Sequence, residues 1–199
     1  FDATPKDFDI KGKTVSILGD SISSFYSANS SLNSYYTGTN EFYYPIYSST
    51  VKTAENTWWG MALKSFGAKL GVNNSLSGSL LCGSSNQAGV SDARIDTLDE
   101  NGTPDVIIVF LGTNDNASGI SAQEFKTTYA TLLQKLHKAY PNAYVFCFNN
   151  GYSNYHINLP DSHGKYSEET RVAYNEAIEE VCKANNAVLI DLASIQTVD

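Results

Sequence analysis

Three short segments of this chain carry residues suited to attack on an ester carbonyl. Gly19-Asp20-Ser21 offers a hydroxyl, Ser77-Gly78 a backbone N–H at a glycine, and Gly112-Thr113-Asn114-Asp115 a side-chain amide. A serine hydroxyl can attack the carbonyl carbon and form a covalent acyl intermediate. The oxyanion that develops needs donors already in place, and the N–H groups of Ser21 and Gly78 with the Asn114 amide would supply them. Each segment alone reads as an ordinary turn, because Gly, Asp, Asn and Ser dominate turns for local backbone reasons. Their joint position carries the chemical reading, since each follows an apolar run with the signature of a β-strand.

Five such runs are predicted as strands: Thr14–Leu18, Gly71–Asn74, Asp105–Leu111, Ala143–Asn149 and Val188–Asp191. The unbroken apolar character of the third predicts a central parallel strand covered on both faces. Helical periodicity lies between the strands. Asn56–Leu70 places Trp59, Leu63, Phe66 and Leu70 on one face. Ser121-Ala-Gln-Glu124 is a capping box, opening a helix with Phe125, Tyr129, Leu132, Leu133 and Leu136 as its apolar face. Ser167 precedes another helix, with Val172, Ile178, Val181 and Cys182 as its buried stripe.

This alternation predicts an α/β fold, a single domain over residues 1–199 built as a three-layer α/β/α sandwich on a parallel sheet. In such sheets ligands gather at the carboxyl ends of the strands. The loops bearing Ser21, Gly78 and Asn114 should therefore converge, together with those after Asn149 and Asp191. The long connection 22–55, rich in Tyr, Asn and Ser, reads either as a packed wall over that edge or as a decorated surface loop.

Composition narrows the classes. A chain of 199 residues with 42% hydrophobic content suffices for one well-buried domain. Its net charge of −8, without clustered Lys and Arg, argues against nucleic acid and anionic membrane surfaces as partners. No run reaches the ~18–20 apolar residues needed to span a bilayer. Cys82, Cys147 and Cys182 fit neither a disulfide framework nor a zinc site and are expected to pack as small hydrophobes, with one bridged pair left open. A vocabulary heavy in Ser, Asn, Thr and Tyr, with 17% charged residues, fits a secreted or cell-surface bacterial protein.

Gly19-Asp20-Ser21, Ser77-Gly78 and Gly112-Thr113-Asn114-Asp115 resemble the first three sequence blocks of the SGNH/GDSL hydrolases, a family of esterases and lipases. Tyr43-Tyr44-Pro45, Thr57-Trp58-Trp59 and Asn73-Asn74-Ser75 resemble a bacterial subgroup of it. The resemblance covers essentially the whole chain and implies a flavodoxin-like five-stranded parallel sheet. It implies Ser21 as nucleophile, Ser21, Gly78 and Asn114 as oxyanion donors, no metal or cofactor, and a small-molecule or polysaccharide ester as substrate, such as a short acetyl ester. The family's fourth block is Asp-x-x-His, in which the Asp orients the His that activates the serine. Asp199 stands where that Asp is expected, and the His would fall three residues further on. The chain is therefore expected to be cut just before its general base and to be nearly inactive as it stands. His137 is expected on a helix surface, whereas His156 and His163 lie in the loop after the fourth strand. His163, in Asp161-Ser162-His163, is the candidate substitute base. The alternative from another class is a non-catalytic carbohydrate-binding module on the same fold, stacking sugars on its tyrosines and Trp58-Trp59. A flavodoxin-like cofactor site is disfavoured by Asp20, whose charge would repel a phosphate at the first strand end.

Overall fold

A computed structural model describes residues 8–26, 42–151 and 168–194. Its strands are β1 (Thr14–Gly19), β2 (Lys69–Ser75), β3 (Val106–Phe110), β4 (Tyr144–Phe148) and β5 (Val188–Ile190). They form one all-parallel sheet in the order β2-β1-β3-β4-β5. The chain leaves β1 toward β2 on one side and later returns to β3 on the other. Between β1 and β3, therefore, lies the switch point, the crevice where open α/β sheets bind ligands. Ser21 follows β1 and Asn114 follows β3, so the order of strands alone places both at that crevice.

Alternation within the strands builds two cores. Leu18, Ile107, Val109, Val145 and Cys147 are buried together with α2 (Asp92–Ile95), α4 (Ala122–Ala139) and α5 (Glu168–Ala184). Ile17 and Ile108 pack on the opposite face against Trp59 and Leu63 of α1 (Trp58–Phe66). A further short helix, α3 (Thr113–Ser118), starts directly beyond β3. Ser121 is the N-cap of α4 as predicted, its hydroxyl accepting the Glu124 N–H at 3.1 Å. Thr57 caps α1 in the same way, accepting from the Gly60 N–H at 3.0 Å. Replacing Leu132, fully buried beneath α4, by alanine is expected to cost about 3 kcal/mol in urea denaturation, from lost transfer energy and the cavity left behind.

Several boundaries differ from the sequence-based expectation. α1 ends at Phe66 because Gly67 adopts the left-handed conformation (φ 67°) that closes a helix. Leu70, predicted on that helix, lies in β2, and Phe66 is 57% exposed. β2 in turn begins two residues before Gly71 and runs one beyond Asn74. On α5, Val172 is exposed, and the buried stripe is Tyr174, Ala177, Ile178, Val181 and Cys182. All three cysteines are buried and free, so no bridged pair exists among them.

Over the α1 face, an apolar groove of about 360 Å³ lies against Trp58, Leu63, Ile108, Phe146, Phe148 and Ile190. No helix among the described residues is long and apolar enough to cross a membrane.

Candidate active site

The turn carrying Ser21 is built by close packing at the end of β1. A Cβ on Gly19 would lie 2.7 Å from Ser75 Oγ and 2.9 Å from Ser23 Cβ, so only glycine fits there. Beyond it, Ser23 N–H donates to the Asp20 carbonyl (3.1 Å), and Ser24 gives both its N–H (3.3 Å) and its hydroxyl (3.0 Å) to the Ser21 carbonyl. Three side chains grip this turn from α1 and β2. Trp59 Nε1 and Asn73 Nδ2 each donate to the Ser23 carbonyl at 2.9 Å, and Trp58 Nε1 donates to Ser23 Oγ at 3.2 Å. Trp59 is 3% exposed, so its ring is a brace rather than a stacking platform for sugar. Ser21 itself remains half-buried at the tip. From the tyrosine-rich connection, Tyr43 N–H reaches Ser24 Oγ (2.8 Å) and the Tyr44 carbonyl accepts Tyr26 N–H (2.7 Å). Residues 27–41 of the expected wall lie outside the described residues.

The Gly78 loop comes alongside because its first residue joins the sheet edge, with Leu76 N–H donating to the Gly19 carbonyl at 3.2 Å. Gly78 is exposed at φ 73°, and a Cβ there would meet nothing within 4 Å. Backbone conformation rather than crowding by the protein selects glycine here. Asn114, in the first turn of α3, closes the arrangement. Its Nδ2 lies 3.0 Å from the Ser79 carbonyl and 3.3 Å from Asp20 Oδ2. Asn114 thus touches the residue just before Ser21 and the residue just after Gly78, so the three predicted segments meet. Both amide hydrogens face protein acceptors in this state. An oxyanion would take one of them, and the longer contact to Asp20 is the weaker.

Three charged residues beneath this surface, Asp20, Asp115 and Arg94, hold it in place, a role the sequence reading did not assign to them. Asp20 is 1% exposed, with Oδ1 accepting Ile22 N–H at 3.0 Å. Burial pushes its pKa up to about 7, against the lowering effects of that N–H and of the Arg94 charge. Asp115 is fully buried and accepts Leu81 N–H (2.8 Å) and Cys82 N–H (2.9 Å), which pins the far end of the Gly78 loop. Burial raises its pKa as well, opposed by those two N–H groups. An Asp115→Ala variant strands both donors and should lose roughly 2–5 kcal/mol in thermal or urea unfolding. Arg94, on α2, is also fully buried. The Asp115 position was signalled by the Gly-Thr-Asn-Asp segment, whereas no sequence signal marks Arg94.

The histidine question divides sharply. His137 sits near the C-terminal end of α4, its Nε2 2.7 Å from the Asn185 carbonyl and far from the strand ends that bear Ser21, as expected. His156, His163 and Asp199 lie outside the described residues. Among the described residues the carboxyl ends of β4 and β5 are tied by Asn149, which donates to Asp191 Oδ1 (2.6 Å) and accepts Ala193 N–H (3.2 Å).

The family described as GDSL-like lipase/acylhydrolase matches residues 13–198. Among solved structures, a candidate GDSL-like lipase from Bacteroides ovatus is 28% identical at a TM-score of 0.67, covering 94% of this chain and 88% of its own. One from Bacteroides uniformis is likewise 28% identical, at a TM-score of 0.68, covering 94% and 86%. The fold extends to the esterase EstA from Pseudoalteromonas sp., 18% identical at a TM-score of 0.54, covering 90% of this chain and 76% of its own. No curated protein matches the chain.

Proposed function

The chain belongs to the GDSL-like lipase/acylhydrolase family, and from that premise we propose that it hydrolyses short acyl esters with Ser21 as nucleophile. Ser21 Oγ attacks the ester carbonyl while its proton passes to a general base. The N–H groups of Ser21 and Gly78 and the Asn114 amide hold the oxyanion. Collapse expels the alcohol, which takes the proton from the base, and water then releases the acid from the acyl-enzyme by the same steps in reverse order. One observation carries this reading: the Asn114 amide stands 3.3 Å from the carboxylate next to Ser21 and 3.0 Å from the carbonyl next to Gly78. A nucleophile and two kinds of oxyanion donor at a switch-point crevice are what acyl transfer needs.

Asp199 is assigned to orienting the general base. The substrate class assigned is an acetyl ester of a polysaccharide or small molecule, and the setting is the cell exterior. Hydrolysis of p-nitrophenyl acetate, butyrate and octanoate, with acetate release from acetylated xylan, tests the reading. Asn114→Ala should lower kcat by roughly 10²–10³ with KM little changed, as for loss of one preorganised donor. An unchanged kcat would remove Asn114 from the site. His163→Ala should leave turnover intact. Loss of activity in that variant would transfer the role of base to His163.

A further inference from the structure

With partners among the described residues the buried Arg94 guanidinium makes five hydrogen bonds. Nε donates to Asn74 Oδ1 (2.9 Å). Nη1 donates to Ser79 Oγ and the Gln87 carbonyl (both 3.1 Å), and Nη2 to the Gly19 and Asn74 carbonyls (both 2.7 Å). Besides the Gln87 carbonyl, these acceptors are the end of β1 immediately before Asp20-Ser21, the end of β2, and the residue immediately after Gly78. A planar fork of donors holds such a set at fixed separation, which a lysine ammonium cannot do. β2 is shaped to receive it. Across from Ser16 the strand carries an extra residue, with Val72 N–H donating to Ser16 Oγ (3.1 Å), and beyond this bulge the buried side chains diverge. Asn73 turns toward the Ser23 carbonyl, while Asn74 turns toward Arg94 and Thr97.

We propose that Arg94 is a positioning residue for ester hydrolysis, setting the spacing between the Ser21 turn and the Gly78 loop. The inference rests on the reaction assigned to Ser21, Gly78 and Asn114. Two charged groups among the described residues act on Asp20 electrostatically: Arg94 from α2, which favours its carboxylate, and Asp115 from α3, which opposes it. The Ile22 N–H adds to the Arg94 effect. An ionised Asp20 accepts from the Asn114 amide, whereas a protonated one cannot accept through its hydroxyl as strongly, and the amide loses that anchor. Arg94 thereby reaches all three oxyanion donors without contacting substrate.

Two variants of the full-length protein test this. Arg94→Lys keeps the charge and loses the fork. Its kcat for p-nitrophenyl acetate should fall about 30- to 100-fold with KM within about twofold, at a Tm close to that of the parent. Arg94→Met removes the charge, so the pH midpoint at which the Ile22 amide and the Asn114 side-chain NH₂ shift together in ¹H–¹⁵N spectra should move upward from its parent value near 7. Should Arg94→Met fail to fold, the kinetics of Arg94→Lys decide alone. Parental kcat in a folded Arg94→Lys protein, or a loss confined to KM, overturns the proposal, as does an unmoved midpoint in a folded Arg94→Met protein. The spectra can be recorded in a Ser21→Ala background. Persisting activity of Ser21→Ala would therefore remove Ser21 as the nucleophile while leaving the Arg94–Asp20 coupling separately measurable.

Discussion

Replacing Ser21 by alanine is expected to abolish ester hydrolysis in a protein that still folds. The expected fall in kcat/KM is at least about 10⁴-fold, equivalent to roughly 5 kcal/mol of transition-state stabilisation, because no acyl-enzyme can form. The remaining turnover is what binding and an oxyanion hole provide without a nucleophile. Folding is spared because the turn is held through the Ser21 carbonyl, by Ser24, and through Ser23, by Trp58, Trp59 and Asn73. None of those contacts uses the Ser21 hydroxyl. Hydrolysis of p-nitrophenyl acetate, read beside the thermal unfolding curve, checks both halves. A variant that keeps more than about a tenth of parental activity would move the nucleophile elsewhere.

Asp20→Asn should separate stability from turnover in opposite directions as pH rises. The Asp20 carboxyl titrates near 7 in the folded protein because burial disfavours its charge, while the unfolded chain has the ordinary value of 3.8. Between about pH 4 and 7 the folded state therefore holds a proton that the unfolded state has released. Stability from this group is greatest below pH 4 and is lost as pH rises toward 7, after which the loss is complete. Asparagine does not titrate. The stability of Asp20→Asn minus that of the parent should climb from pH 4 to pH 8 by up to roughly 4 kcal/mol, at 1.36 kcal/mol per pKa unit. Over the same range kcat should be about ten- to a hundredfold below the parent's at pH 8, since the charged acceptor for Asn114 is gone. Urea denaturation at pH 4, 6 and 8 gives the difference directly. Parallel stability curves would mean that Asp20 is not the group that burial strains. A natural chain that keeps an acid here at such a cost is trading stability for an arrangement it uses.

Much of the site was legible because strand ends can be read from apolar runs. The block Val106–Leu111 followed by Gly112-Thr113-Asn114-Asp115 fixes Asn114 at a carboxyl end with little ambiguity, and the Ser121 capping box fixes where α4 starts. The boundary of α1 was not legible in the same way. Phe66 and Leu70 keep the helical period through Gly67, and only the left-handed conformation of that glycine separates helix from strand. Val172 fits the period of α5 yet lies on its exposed side, since its neighbours Tyr174, Ala177 and Ile178 define the packed face. Arg94 was out of reach for a stronger reason. It sits on a helix of four residues in a polar stretch, and its burial follows from carbonyls supplied by β1, β2 and the loop that joins β2 to α2. Periodicity reports which face of an element is apolar. It carries no information on backbone acceptors contributed by distant segments. Asp20 is a related case, since its place in Gly-Asp-Ser reads as a turn residue while its carboxylate faces the interior.

Covalent labelling of the full-length protein by a serine-directed phosphonate tests the central claim most directly. Mass spectrometry of the digested adduct should place the phosphonyl group on Ser21, with activity lost in proportion to its incorporation. Inactivation with the adduct on another residue, or complete resistance to the reagent in a protein that hydrolyses esters, would contradict the account.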